Sequence, residues 1–133
     1  MNLCPICSSN KIEPQKVKEV FEYKGQRKEF ENYEIFRCNS CEEEFVNEDY
    51  LKTIKKEIRD FHHEVDGLLT SYEIKRIRKE FGYNQEDFGN LLGGGKKAFA
   101  RYENGSVSQS RPMNNLLKVI DKMPEALDVL QRG

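Results

Sequence analysis

The sequence predicts a mixed α+β fold: a small metal-bound β-hairpin domain, a linking helix, and then an all-α domain of five short helices. Three observations support this prediction. Two C-x2-C pairs enclose a stretch with the alternation of β-strands, an apolar stripe of helical period follows it, and glycines and prolines divide the rest into short helical segments. We place the two domains at residues 1–66, which include the linking helix, and 67–133.

The first segment has the pattern of a hairpin. Apolar and polar residues alternate from Val17 to Tyr23, Lys24-Gly25 supplies a turn, and residues 30–37 are rich in aromatic and branched side chains. The alternation of the second strand is imperfect, which indicates a bulge. The hairpin would bring its two flanking cysteine pairs together at its base.

The linking helix is predicted from Asn47 onward. Five apolar residues share one helical face at spacings of three and four: Leu51, Ile54, Ile58, Phe61 and Val65. The stripe can pack on its own chain or pair with a second copy, and the pattern does not separate the two. We expect the neighbouring His62 and His63 to be solvated side chains rather than metal ligands.

Capping and breaking residues delimit the helices of the second half. The first predicted helix is capped by Ser71, runs to about Phe81 and is ended by Gly82. The second is capped by Asn84 and runs to Leu92, and the third runs from Lys96 to Asn104 and is closed by Gly105. The fourth begins at Ser110-Arg111-Pro112 and ends at Met123, and a short last one begins at Pro124. Gly93-Gly94-Gly95 separates the second from the third. These positions give five helices after the linker.

The charge is unevenly distributed along the 133 residues, whose net charge is −1. Residues 1–66 carry 11 Lys and Arg against 15 Asp and Glu, whereas residues 67–133 carry 11 against 8. The basic half is therefore the candidate for nucleic acid, and the acidic half suits a basic protein partner. No apolar run of about 18 residues and no signal peptide is present, which predicts a cytoplasmic protein without a membrane partner.

Cysteine use points to metal or redox chemistry, because a reducing cytosol disfavours disulfides. Cys4, Cys7, Cys38 and Cys41 form two C-x2-C knuckles that can complete a tetrahedral set of four sulfurs. We predict one structural zinc ion per chain, with iron as the main rival. A closed four-ligand sphere leaves no position for activating water, so the ion would not be catalytic. A redox function of a single pair remains as an alternative.

The helix that precedes the glycine turn and the helix that follows it have the layout of a helix-turn-helix, which binds double-stranded DNA. Phe99 and Tyr102 form its core-facing side, while Lys97 and Arg101, with Ala100 beside them, lie on another side that can read bases. The candidate phosphate contacts around this face are Lys96, Gln85, Ser106, Ser108 and Arg111. The phosphate-loop motif is not met, and no catalytic arrangement stands out, so we expect no enzymatic activity.

The sequence resembles the MqsA-type antitoxins, in which a YgiT-type zinc finger precedes an Xre-like helix-turn-helix. The resemblance rests on C-P-I-C from Cys4, on C-N-S-C-E-E from Cys38, and on L-G-G-G-K-K-A-F-A-R-Y-E-N-G from Leu92. It implies a homodimer formed through the C-terminal domains, zinc on the four cysteines, a toxin bound by the N-terminal domain and repression of the operon's own palindromic operator. The best-known toxins of the family cleave messenger RNA. Lys97 replaces the family's usual asparagine, so the operator sequence is not carried over.

Three functional hypotheses follow. The first is an antitoxin that neutralises a toxin, most simply an mRNA-cleaving RNase, and represses its own operon. The second is a zinc-containing Xre-type transcriptional regulator without a toxin. The third is a thiol oxidoreductase that uses one C-x2-C pair.

Overall fold

A computed structural model describes residues 3–133 and confirms the mixed α+β fold. The elements in chain order are β1 (Ile12–Tyr23), β2 (Gln26–Cys38), β3 (Glu44–Val46), α1 (Glu48–Asp66), α2 (Ser71–Glu80), α3 (Gln85–Leu92), α4 (Ala98–Asn104), α5 (Arg111–Lys122), a 3-10 turn (Pro124–Ala126) and α6 (Leu127–Arg132). The chain divides within α1 into two compact units. The first ends at Lys55, and the second comprises Lys56–Gly133. Among the described residues, no helix is both long and apolar enough to cross a membrane.

The first unit is built on the predicted hairpin. The β1 and β2 strands pair antiparallel from Ile12 opposite Cys38 to Tyr23 opposite Gln26, and Lys24-Gly25 forms the turn with φ of 48° and 81°. Both residues of a tight two-residue hairpin turn adopt such positive φ angles, so this pair matches its position. The predicted bulge is confirmed, because the register shifts between Val17 and Glu19.

The bulge is linked to the start of α1. The register places one extra residue on β2 between Phe30 and Tyr33, and the carbonyl of Asn32 accepts a hydrogen bond from the Tyr50 hydroxyl at 3.2 Å. The Asn47 side chain accepts from the Tyr50 amide at 3.1 Å and donates to the Glu34 carboxylate at 3.0 Å. The sheet therefore anchors the first turn of α1 within this unit.

A third strand was not expected from the sequence. The three residues of β3 pair with β2, from Ile35 opposite Val46 to Arg37 opposite Glu44. A strand this short carries too few residues for alternation to be recognised. It follows directly on the second cysteine pair and extends the sheet in the order β1-β2-β3.

The second unit has one apolar core. Its buried members come from the helices and from Leu69 before α2: Leu69, Ile74, Ile77, Phe88, Leu92, Phe99, Met113, Leu117, Ile120 and Leu127.

Of the α1 stripe, Ile54 and Phe61 are only 6% and 7% exposed in the single chain. These two residues pack on their own chain, whereas the other three members of the stripe, Leu51, Ile58 and Val65, are half-buried.

Two predicted helix starts were wrong by one or two residues. Thr70, not Ser71, caps α2, and it forms a capping box with Glu73. The Ser71 amide and hydroxyl instead donate to the Asp60 carboxylate at 2.8 and 2.7 Å. The α4 helix begins at Ala98 rather than Lys96, because the left-handed Gly93 and Gly95 leave Lys96 and Lys97 in a turn.

The expectation for His63 was also wrong, since its side chain is only 5% exposed. Its Nδ1 lies 2.9 Å from the Leu69 carbonyl and its Nε2 lies 2.8 Å from the Ser108 hydroxyl. Because a carbonyl only accepts, Nδ1 carries the proton and Nε2 accepts from the serine. The loops around residues 69 and 108 thus enclose a side chain that the helical pattern alone places at the surface.

Candidate metal centre and nucleic-acid interface

The two cysteine pairs form two knuckles of the same local design. In the first, the Ser8 amide donates to the Cys4 carbonyl at 2.9 Å, and in the second the Glu42 amide donates to the Cys38 carbonyl at the same distance. Ser8 and Glu42 both have φ of 64°. Each chain segment therefore folds back within five residues, which brings both of its sulfurs to one side of a turn.

The hairpin brings the knuckles together. The Cys4 and Cys41 sulfurs lie 3.7 Å apart, those of Cys7 and Cys38 lie 3.6 Å apart, and all four fall within 4.8 Å of one another. A tetrahedral site with metal–sulfur bonds of about 2.3 Å has sulfurs roughly 3.8 Å apart. The geometry fits one ion held by all four cysteines. The insert of thirty residues between the pairs is the hairpin itself, whose ends meet where Ile12 pairs with Cys38.

The pKa values of the clustered thiols also favour a bound cation. Backbone hydrogen bonding, first from Cys41 and then from Ser40, lowers the pKa of the Cys38 thiol to about 6. A backbone bond from Glu43 acts in the same direction on Cys41, but burial and the three neighbouring thiols outweigh it and raise its pKa to about 12. Without a cation the four sulfurs do not all ionise together, whereas a bound metal ion deprotonates its thiol ligands. The four cysteines make up a structural metal site with no open coordination position.

The second candidate site is built on α3 and α4. Asn84 caps α3 by accepting from the Asp87 amide at 2.8 Å, and Gly93 ends the helix with φ of 87°. The backbone turns back sharply at this point, since the Gly94 and Gly95 amides both donate to the Gly89 carbonyl. A Cβ at Gly89 would lie 2.1 Å from the Gly95 oxygen. Only glycine fits there, and the close approach fixes where α4 begins.

The faces of α4 are sorted as the sequence predicts. Phe99 is fully buried and its ring lies 4.9 Å from that of Phe88, while Tyr102 packs against the same core. Arg101 and Lys97 are exposed and Ala100 is half-buried. Lys97 is the N-cap residue and its carbonyl accepts from the Arg101 amide at 3.3 Å, so the two lie one helical turn apart. A basic, solvent-facing side of α4 therefore lies opposite an anchored aromatic side.

A buried ion pair that the sequence analysis missed orients α4. Arg78 of α2 donates to both oxygens of Glu103 at 2.8 and 2.9 Å and to the Tyr83 carbonyl at 2.7 Å. The bond to Glu103 raises the pKa of the arginine above its ordinary value. Gln85 donates to the same carboxylate at 3.2 Å. The partners are 25 residues apart in the chain, and no local pattern joins them.

The predicted phosphate contacts occupy different surroundings. Lys96 is exposed and lies 3.8 Å from Glu86, and Arg111 is exposed at the first turn of α5. Ser106 bonds through its hydroxyl to the Asn104 side chain. The Ser108 hydroxyl accepts from Arg59 at 2.7 Å and also bonds His63. The structure thus places Lys96 beside Lys97, and it engages Gln85 and Ser108 in internal contacts.

Comparison with known proteins identifies the family of the chain. The family model described as the antitoxin component of a bacterial toxin-antitoxin system, MqsA, matches residues 1–131. A protein named antitoxin MqsA from Escherichia coli (strain K12) is 26% identical over 130 residues, which cover 96% of this chain and 98% of that protein. This match extends from the cysteine knuckles through α4 to the last helix, and the chain therefore belongs to the MqsA family of antitoxin components of toxin-antitoxin systems.

Proposed function

We propose that this antitoxin binds double-stranded DNA through α3 and α4 and represses its own operon, while its N-terminal unit binds and neutralises a toxin. The observation that carries the DNA-binding part is the exposed Lys97 and Arg101 side of a helix whose other side is anchored by Phe99 and Glu103. A reading helix must hold its base contacts in fixed positions, and this packing supplies that rigidity.

Each exposed residue of α4 has a distinct role in this proposal. Arg101 donates two parallel hydrogen bonds to a guanine edge, and Lys97, at the helix start, reaches a guanine or a phosphate. The small Ala100 lets the helix backbone approach the base pairs. Lys96 and Arg111, which are exposed, are the main proposed contacts to the phosphate backbone, and such contacts set the position of the protein without reading sequence. Gln85, Ser106 and Ser108 would join them only by exchanging their internal hydrogen bonds for phosphate.

The metal is proposed to be zinc, one per chain, because four thiolates in a tetrahedral arrangement are the ligand set of structural zinc sites. The first half of the chain is acidic, with 15 Asp and Glu against 11 Lys and Arg, which suits a basic toxin. An RNase that cleaves messenger RNA is a toxin of this kind, since an RNA substrate requires a basic surface.

The repressor is proposed to be a homodimer that binds a palindromic operator. The second unit exposes three apolar side chains near its C-terminus: Val119 on α5 is 48% exposed, Met123 at the end of α5 is 53% exposed, and Val129 on α6 is 71% exposed. Pairing of two copies through this surface would cover them. Two α4 helices would then meet half-sites spaced by about 34 Å, or a multiple of it, on one face of the duplex.

The DNA-binding proposal is tested by a gel shift of the zinc-loaded protein on its own upstream DNA with random DNA as competitor. We expect Arg101→Ala to lose about 1 to 3 kcal/mol of binding free energy and to relax sequence choice, and Lys96→Ala to weaken all sequences evenly. Arg27→Ala, at an exposed site on the hairpin, is the matched control and should bind normally. Equal losses of Arg101→Ala on operator and random DNA would contradict base reading.

Toxin neutralisation has a separate test. Co-expression with the product of the neighbouring reading frame should rescue growth, and Cys38→Ser should abolish the rescue by unfolding the N-terminal unit. A specific DNA shift without any rescue would favour the alternative, a zinc-containing Xre-type regulator that has no toxin partner.

A further inference from the structure

A groove of about 550 Å³ lies between α1 and α2 in the second unit. It is lined by Lys56, Tyr72, Lys75, Arg76, Lys79 and Glu80. Tyr72, Lys75 and Lys79 follow one another on α2 at spacings of three and four, so they share one helical face. No function described so far uses this surface.

The groove carries three uncompensated positive charges. Its only carboxylate, Glu80, is paired with Arg76 at 3.1 Å, and Arg76 also binds Asp121 at 3.1 Å. Lys56, Lys75 and Lys79 are exposed, and none has an ion pair with any residue in the range 3–133. An anionic partner would therefore meet ammonium groups that need not first break an internal contact.

The groove adjoins the end of the proposed reading helix. Gly105 terminates α4, and a Cβ there would lie 2.8 Å from the Lys56 Cα. One turn further along α1, Arg59 donates to the Gly105 carbonyl at 2.6 Å and to the Ser106 carbonyl at 3.4 Å. The segment of α1 that forms one wall of the groove thus runs directly against the exit of α4.

We propose that this groove binds the phosphate backbone of the DNA that flanks the bases read by α4. The proposal rests on the DNA-binding function above and extends its footprint to Lys56, Lys75 and Lys79. In homeodomains the C-terminal end of the reading helix contacts the phosphate backbone. The corresponding end of α4 is Gly105, which lies beside Lys56. Lysines on flexible stems act as point charges that attract phosphates without reading sequence, and the exposed Tyr72 hydroxyl can donate to a phosphate oxygen.

Continuity with α4 favours DNA over an acidic protein as the occupant. An acidic protein would need only the three charges, whereas a duplex already bound at α4 presents its phosphates beside Lys56 without a second binding event. The two occupants can be distinguished by experiment. If the lysines of the groove contact DNA phosphates, their removal weakens the salt dependence of operator binding, whereas removal of contacts to an acidic protein leaves that dependence unchanged.

The test measures DNA affinity of the full-length, zinc-loaded protein by fluorescence anisotropy across a series of KCl concentrations, on the upstream DNA and on a random duplex. Log affinity falls as log salt rises, and each phosphate contact contributes about 0.9 to the steepness of that fall. The loss of two contacts in Lys75→Gln/Lys79→Gln should therefore make the slope shallower by roughly 2. The loss should be the same factor on both duplexes. Lys16→Gln/Lys28→Gln removes the same charge from exposed sites on the hairpin and should leave the slope unchanged.

The outcomes separate this inference from the function on which it rests. If the wild-type protein binds no DNA at low salt, the DNA-binding proposal itself fails. If wild-type binding is specific but the groove variant keeps the full slope, or if the hairpin control loses as much, the phosphate groove is refuted while the repressor stands. In that case, binding of a polyglutamate peptide by the wild-type protein and not by the variant would identify an acidic protein as the occupant.

Discussion

The two units of this antitoxin differ in what holds them together. In the first, the buried apolar residues of the described chain are few: Cys4, Phe30, Tyr33, Cys38 and Ile54. In the second, ten buried residues form one continuous cluster. A segment of about 55 residues with so small a core cannot offset its own conformational entropy without a staple. The comparison shows a metal centre in one unit taking the place that an apolar core has in the other.

Metal removal should produce the largest difference in stability between the two units. Binding of structural zinc contributes about 10 to 16 kcal/mol in small metal-dependent domains, so chelation or Cys38→Ser should unfold the hairpin and leave α2 to α6 intact. Hydrogen exchange should show lost protection of the amides of β1, β2 and β3, with those of α2 to α6 still protected. Ser40→Ala, inside the same knuckle but not a ligand, is the control. A single transition in which both units melt together would contradict the comparison.

The buried ion pair of the second unit provides the next largest effect. Arg78→Met leaves the Glu103 carboxylate buried without its partner, which should cost about 3 to 5 kcal/mol in the free energy of unfolding. Arg76→Met removes an arginine whose side chain is 36% exposed, and it should cost about 1 kcal/mol or less.

Urea denaturation followed at the second unit measures both variants. Adding Glu103→Leu to Arg78→Met should restore part of the stability, because no unpaired charge then remains buried. If Arg78→Met and Arg76→Met lose the same free energy of unfolding, burial of the Arg78–Glu103 pair does not increase its importance for stability.

The smallest effect concerns a helix cap. Thr70→Ala removes the side-chain oxygen that accepts from the Glu73 amide, and should lower the stability of the second unit by about 1 kcal/mol. Asn90 is an exposed residue of α3 that caps no helix. Asn90→Ala should therefore not lower stability in the same denaturation experiment, and a larger loss for it than for Thr70→Ala would overturn the assignment of the cap.

Features with local causes could be predicted from the sequence. The cysteine knuckles, the Lys24-Gly25 turn and the glycines that end α3 and α4 follow from residue types within a few positions of each other. The separation of Phe99 from Arg101 on α4 followed from helical period alone. These predictions succeeded because the responsible interactions span one turn of chain.

Features with distant partners could not be predicted. Thr70 and Ser71 are both capping residues, with serine the stronger of the two types. Asp60, eleven residues before Ser71, binds Ser71 and leaves Thr70 to cap the helix. His63 is buried because Leu69 and Ser108 supply its two hydrogen-bond partners. The pairing of Arg78 with Glu103 likewise depends on how α2 and α4 pack. In each case the decisive contact forms only when the fold is complete.

The bulge in the hairpin has a consequence for the behaviour of many copies together. The β1 strand is the edge of the described sheet and runs for 12 residues, with no neighbour in the order β1-β2-β3 on its outer side. A flat edge of that length is a template on which strands of other molecules can add and begin aggregation. The bulge, whose extra residue lies on β2 opposite the segment between Val17 and Glu19, increases the local twist of the hairpin, so the edge of β1 is not one flat stretch. A register shift that ties down α1 inside one molecule thus also limits uncontrolled strand addition between molecules.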